Sequence, residues 1–211
     1  MPGFTHLHVH SEYSLLDGLA RVPDLLEAAK SRGFDALALT DHGVMYGAVQ
    51  FFQQAKKLDM QPIIGCELYV AQRSRTDRDP KLDSKAYHLT ALAADNRGYR
   101  NLVELVSRAQ LEGFYYKPRV DREILERHSD GLIVLSGCPS AEVPRHLIDG
   151  QTDAAREAMA WYKDVFGDRY YVELQRHDID FLPALNRGLV ALATEFELPV
   201  VATNDVHYGR E

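Results

Sequence analysis

The sequence predicts an α/β protein, a closed or nearly closed α/β barrel, and three observations carry that prediction. Seven short strand-like runs alternate with helical runs along 211 residues, the order of a parallel sheet built from βαβ units. A chain of this length has room for one large domain, 1–211, and favours a closed or nearly closed barrel over an open doubly wound sheet. His42, Glu67, Cys138, Asp205 and His207 fall at or just past the C-terminal ends of predicted strands, the face on which such barrels carry their chemistry.

The first strand is expected over 4–10, where His6, His8 and His10 occupy alternate positions and so share one face. Residues 14–18 turn the chain. A helix follows over 22–31, with Pro23 in its first turn and Gly33 just past its end, as helix punctuation requires. Residues 36–40 are a continuous apolar run, the mark of a strand buried on both faces. A helix over 46–58 leads to the third strand, 62–70. Residues 73–85 are charged, carry no periodicity and read as an exposed loop. The fourth strand is 87–93, followed by a helix over 99–110, an irregular stretch over 113–119 and a short helix over 121–127. The fifth strand is 132–135. Helices over 141–148 and 152–166 precede the sixth strand, 170–174. A helix over 184–196 and a strand over 200–203 complete the alternation. Residues 208–211 form no closing element, which fits a domain of a larger protein.

Composition narrows the function. The formal charge of −7 argues against a protein that grips nucleic acid unaided, because such proteins show a basic face, although bound divalent ions would offset acidity locally. Two cysteines, Cys66 and Cys138, make no disulfide framework and suit a reducing, cytoplasmic setting. No apolar run is long enough to span a bilayer, so no membrane partner is expected.

The candidate ligands on the functional face are His8, His10, Asp17, His42, Glu67, His88, Cys138, Asp205 and His207. Several have plainer readings. His88 fits a hydrogen-bonded core histidine, Cys138 a small buried hydrophobe, Asp17 a turn residue beside Gly18, and Asp205 a helix N-cap. Glu67 is harder to dismiss, since an unpaired carboxylate inside an apolar strand costs several kcal/mol. Nine such residues exceed what one tetrahedral ion needs. Three ions sharing bridging carboxylates would use them all. Imidazoles with carboxylates and one thiol suit Zn, Mn or Fe and do not suit Mg or Ca. Such ions activate water and clamp phosphate oxygens, so the residues alone point to metal-dependent phosphoester hydrolysis.

His8-x-His10, Thr40-Asp41-His42-Gly43, Gly65-Cys66-Glu67, His88 and Asn204-Asp205-x-His207 together resemble the PHP (polymerase and histidinol phosphatase) family. The runs 6–18, 111–119, 135–138 and 202–208 resemble more closely the branch carried at the N-terminus of bacterial replicative DNA polymerases. That resemblance covers essentially the whole chain. It implies a distorted seven-stranded barrel with a trinuclear site. His8, His10, Glu67 and Asp205 would hold one ion. Glu67 would bridge to a second, held with His88 and Cys138. Asp17, His42 and His207 would hold the third. His6 matches no ligand position and is expected to be structural or to support a ligand, and Cys66, which alternates away from Glu67, is expected to be structural. The implied activity is 3′→5′ exonuclease proofreading at a DNA primer end, alongside the remaining polymerase domains and their replisome. Some polymerases of this branch have lost the ligands, so a silent metal-bound module is one alternative. A small-molecule phosphatase is another. Lys117, Arg119 and Tyr13 are the candidates for substrate contact: the first two for phosphate, with the barrel rim or a surface-basic turn shaped by Pro118 as the alternative, and Tyr13, with Tyr115 and Tyr116, for a terminal base, with packing at the rim as the alternative.

Overall fold

One long strand organises the sheet. In the computed structural model, which describes residues 4–209, β2 (Gln61–Ala71) changes partners along its length. Its first half pairs in parallel with β1 (Ala36–Leu39), Ala36 opposite Gln61 and Leu39 opposite Ile64. Its second half pairs antiparallel with β3 (Ala86–Ala93), Gly65 opposite Leu92 and Ala71 opposite Ala86. Gly65 stands at the change-over, where a Cβ would lie 2.8 Å from the Ala91 carbonyl oxygen, so only glycine lets the strands approach so closely.

β4 (Phe114–Tyr115) and β5 (Lys117–Val120) form a small hairpin on the outer edge of β2. From β3 the sheet continues through β6 (Leu132–Leu135), antiparallel to it, and then in parallel through β7 (Tyr170–Gln175) and β8 (Val200–Thr203). The expected all-parallel sheet is therefore wrong at β3. The 73–85 loop, which carries no helix, returns the chain alongside β2, and a strand joined without a crossover runs antiparallel.

The opening segment supplies the remaining stave. It is not the regular strand expected over 4–10. The chain bends at His8, and only Val9 makes a β-bridge, to Val206. Backbone hydrogen bonds join it on one side to the stretch after β8, from His10 N–H to Val206 O (2.7 Å) and from Val206 N–H to His8 O (3.0 Å). On the other side it joins β1, from Ala38 N–H to His6 O (3.0 Å) and from Thr40 N–H to Val9 O (2.8 Å). These links carry the curled sheet from β8 back to β1, giving the distorted α/β barrel that the sequence predicts.

The helices lie near their expected places: α1 (Val22–Ser31), α2 (Ala48–Lys57), α3 (Asn96–Leu111), α4 (Arg122–Arg127), α5 (Glu142–Ile148), α6 (Thr152–Phe166) and α7 (Leu182–Glu195). α3 begins three residues before its expected start because Asp95 caps it, accepting from the backbone N–H groups of Arg97 and Gly98. One apolar core packs α1, α2 and β1 around Leu26, Phe51 and Val9. A larger one packs the later strands against α3, α6 and α7 around Leu105, Tyr162 and Leu189. Among the described residues no helix is long and apolar enough to cross a membrane.

Arg119 is corrected by the fold. It is 1% exposed and does not face solvent. Its guanidinium donates to the carbonyls of Gly113, Asp83, Arg75 and Asp77, tying down the 73–85 loop. The sequence reads that loop as exposed, yet Asp83 within it is also buried, paired to Arg73. Buried carbonyls need donors, and Arg119 supplies them.

Candidate metal centre

The barrel positions the site residues through short local devices. The turn after the opening segment closes tightly at Gly18, where any Cβ would collide with the Ser11 carbonyl oxygen. That turn brings Asp17 back to His42, Oδ2 to Nε2 at 3.2 Å. The end of β1 continues alongside Glu67, whose backbone accepts from Gly43 N–H at 2.8 Å and donates to Asp41 O at 3.1 Å, so the Glu67 side chain is held inward and 1% exposed. Because β3 runs antiparallel, His88 near its start lies at the end of the barrel where the parallel strands finish. Asp205 takes a left-handed backbone, φ 48°, which Asp tolerates better than most residues and which often marks a functional position.

All nine sequence-predicted residues meet in one cluster. Glu67 lies at its centre: Oε1 is 2.8 Å from His88 Nδ1 and 3.4 Å from His8 Nε2, and Oε2 is 2.7 Å from His42 Nδ1 and 3.3 Å from His10 Nε2. Asp205 Oδ1 stands 3.2 Å from His10 Nε2 and 3.5 Å from His8 Nε2. Cys138 Sγ is 3.5 Å from both Glu67 Oε1 and His88 Nδ1. His207 reaches Asp205 Oδ1 at 3.6 Å and Asp17 Oδ2 at 3.8 Å. Three overlapping groups hold their ligand atoms within 4.8 Å of one another: His8, His10 and Glu67; His42, Glu67 and His88; His10, His42 and His207.

The donor set fits metal ions. Buried polar atoms are normally paired, yet His8 Nε2, His10 Nε2, His42 Nδ1, Glu67 Oε2 and Asp205 Oδ1 are buried without a hydrogen-bond partner, and all five turn toward the same space. Charge points the same way. Burial by itself would raise the Glu67 carboxyl, but the imidazoles of His8 and His88 outweigh it and hold the group well below the usual carboxylate range. Burial would lower His8, but the carboxylates of Glu173 and Glu67 overcome it and hold the ring well above its ordinary value. Burial, with Glu67 and Asp205 nearby, pushes the Cys138 thiol well up, and a bound cation would take the place of its proton.

Sequence reasoning missed the supports. Glu173 Oε1 lies 2.7 Å from His8 Nδ1. Ser14 Oγ lies 3.0 Å from His10 Nδ1 and donates to Asp41 Oδ1 at 2.8 Å. Glu173 was findable: it is a carboxylate inside an apolar strand, as Glu67 is. Ser14 has no such signal. The expected substrate residues separate. Tyr13 and Lys117 line a cleft of about 360 Å³ beside Asp17 and His42, together with Tyr69 and Phe114. Lys117 Nζ sits 5.2 Å from the Tyr69 ring centre. Tyr115 lies against the buried Arg119 guanidinium, and Tyr116 is exposed in the one-residue turn between β4 and β5.

A curled α/β sheet that gathers imidazoles, carboxylates and a thiol at one mouth defines a protein of the metal-binding barrel class. The chain belongs to the PHP domain family, whose model matches residues 6–177. It is 48% identical over 212 residues to DNA polymerase III subunit alpha of Thermus aquaticus, across 99% of this chain and 17% of that protein. It is 47% identical over 210 residues to the same subunit of Treponema pallidum, across 99% of this chain and 18% of that one. The chain thus spans less than a fifth of these relatives' length. Among solved structures it resembles a protein of Bifidobacterium adolescentis assigned as a metal-dependent phosphoesterase, with TM-score 0.59 and 17% identity over 98% of this chain and 88% of the other. It also resembles a two-domain protein of Bacteroides vulgatus containing a predicted PHP-like metal-dependent phosphoesterase, with TM-score 0.57 and 19% identity over 96% of this chain and 51% of the other. Identities this low speak for the fold alone.

Proposed function

We propose that this chain is the PHP domain of a bacterial replicative DNA polymerase, working in the cytoplasm as a metal-dependent phosphoesterase that removes nucleotides from the 3′ end of a DNA primer. The observation that carries the reading is the set of buried, unpartnered nitrogen and oxygen atoms that face one another. His8, His10, Glu67 and Asp205 would hold one divalent ion, Zn or Mn or else Fe. Glu67, His88 and Cys138 would hold a second, and Asp17, His42 and His207 a third. Ions so placed supply a water of lowered pKa and positive charge for phosphate oxygens.

The rest falls to the protein. Buried walls around Glu67 and His8 keep bulk water from competing. Lys117, at the cleft beside Asp17 and His42, offers a cation to the substrate phosphate, and Tyr13 offers a ring for the terminal base. Tyr13 is steadied by its hydroxyl, which donates to Gln50 Oε1 at 3.0 Å. With a formal charge of −7 the chain has little long-range pull on DNA, so the grip on duplex is assigned to the rest of the polymerase and its replisome.

The test is metal analysis of the purified protein beside a 3′-exonuclease assay with and without chelator, with a chromogenic phosphomonoester as comparison. About three equivalents of metal and chelator-sensitive release of mononucleotides are expected. Bound metal without turnover would leave a structural module instead, and preference for the phosphomonoester would make it a small-molecule phosphatase.

A further inference from the structure

We propose that Glu173 is a positioning residue for the metal centre, fixing the ring of His8 so that its Nε2 faces the ion position and steering the strand that leads to Asp205. The proposal rests on the metal reading above. Glu173 lies on β7 with its side chain fully buried. Its Oε1 accepts three hydrogen bonds: from His8 Nδ1 at 2.7 Å, from Gln175 Nε2 at 3.1 Å and from the hydroxyl of Thr203. The backbone N–H of Glu173 donates to Ser136 Oγ at 2.9 Å, so the residue is itself held in place.

The two ring nitrogens of His8 are what give Glu173 a positioning role. An imidazole has two nitrogens, and the bond made by one decides what the other can do. With Nδ1 committed to Glu173, Nε2 is left 3.4 Å from Glu67 Oε1 and 3.5 Å from Asp205 Oδ1, without a hydrogen bond. Nε2 thus faces two carboxylates that themselves belong to the ion position, the direction a ligating nitrogen needs. Ligating histidines characteristically give their second N–H to a carboxylate, and loss of that support costs about 10–100-fold in metal affinity. Thr203 extends the argument. It stands two residues before Asp205, so one carboxylate oxygen links the ring of His8 to the end of β8 that delivers Asp205.

Chelator-stripped protein titrated with zinc tests this, with the histidine ring nitrogens followed by NMR. In wild type, zinc-loaded His8 is expected to carry its proton on Nδ1, in a downfield, carboxylate-bonded signal. Glu173→Ala should lose that signal and bind zinc about 100-fold more weakly, and Glu173→Gln about 10-fold. The amide oxygen of Gln can still accept from Nδ1. Its NH₂ would take the place of Oε2, which lacks a partner; Glu173 lines the same small cavity as Asn186, whose Oδ1 is likewise unpaired. If the alanine variant does not fold, the glutamine variant decides. A folded variant that binds zinc within about twofold of wild type, far inside the usual range for such supports, would reduce Glu173 to a packing residue. Wild type that binds no zinc would overturn the metal reading and this inference together.

Discussion

His6 and His8 stand two residues apart on the same segment and have different fates. His8 is fully buried between Glu173, Glu67 and Asp205. His6 lines a separate cavity of about 390 Å³ with Leu25, Arg32 and Phe34, packed edge-on against Phe4 and Phe34 at 4.9 and 5.2 Å. Burial and the nearby Arg32 lower its pKa, whereas carboxylates raise that of His8 against its burial. An alternating pattern says which residues share a face only while the strand stays regular, and the bend at His8 ends that regularity. Chemistry follows the partners each ring meets rather than the spacing.

The largest expected effect breaks the pair apart. His8→Ala should remove zinc binding at its position by more than the ~100-fold that loss of a supporting bond can cost and abolish chelator-sensitive hydrolysis. His6→Ala should leave zinc titrations and hydrolysis unchanged and lower stability by about 1 kcal/mol, the ordinary cost of a point change. Equal losses in metal affinity would show that the two rings serve one site.

Metal removal and pH sharpen the same contrast. Removing an ion present at 100 times its dissociation constant costs about 2.7 kcal/mol per site, or a fall in Tm of roughly 5–10 °C for a chain of this size. In the stripped protein, Glu67 is held low, so its contribution is present above the ordinary carboxylate range and lost as pH falls through its depressed value. His8 is held high, so its contribution is present below the ordinary imidazole pKa and lost as pH rises through its raised value. Thermal melts without metal should therefore weaken on both sides of neutrality. Zinc should remove the alkaline loss, because ligation needs the neutral ring, and zinc affinity should climb with pH. A pH-independent affinity would show that His8 and His10 surrender no protons to the metal.

What the sequence disclosed follows from how locally each feature is encoded. The seven staves were legible because apolar runs bounded by turns need no knowledge of partners, and 22–31 and 152–166 were read to the residue because periodicity agrees there with an end signal, Pro23 at the start of one and Gly167 at the end of the other. The nine clustered residues were legible because barrels gather strand ends at one mouth. The antiparallel β3 was not, since strand direction is set by the loop's path. Arg119 was misread for a related reason: a basic residue beside Pro118 looks exposed, and only the folded 73–85 loop supplies the carbonyls that bury it. Glu173 was overlooked although its strand setting matched that of Glu67.

The smallest expected effect concerns His10, whose support differs in kind. His8 leans directly on a carboxylate, while His10 leans on the Ser14 hydroxyl. Ser14 Oγ donates its one proton to Asp41 and accepts from His10 Nδ1 and from His42 N–H at 3.2 Å, which uses its full capacity. Bonds between neutral groups are about half as strong as those to a charged partner. Asp41 keeps the Ser11 N–H at 2.7 Å and the Ser11 hydroxyl when Ser14 is lost, so no buried charge is stranded. Ser14→Ala should weaken zinc binding by about 10-fold, the low end for such supports, and cost the stripped protein about 1 kcal/mol in a denaturant melt. A loss matching that of Glu173→Ala would mean that the relayed support and the direct one hold their rings equally firmly, and that the charge on Glu173 adds nothing.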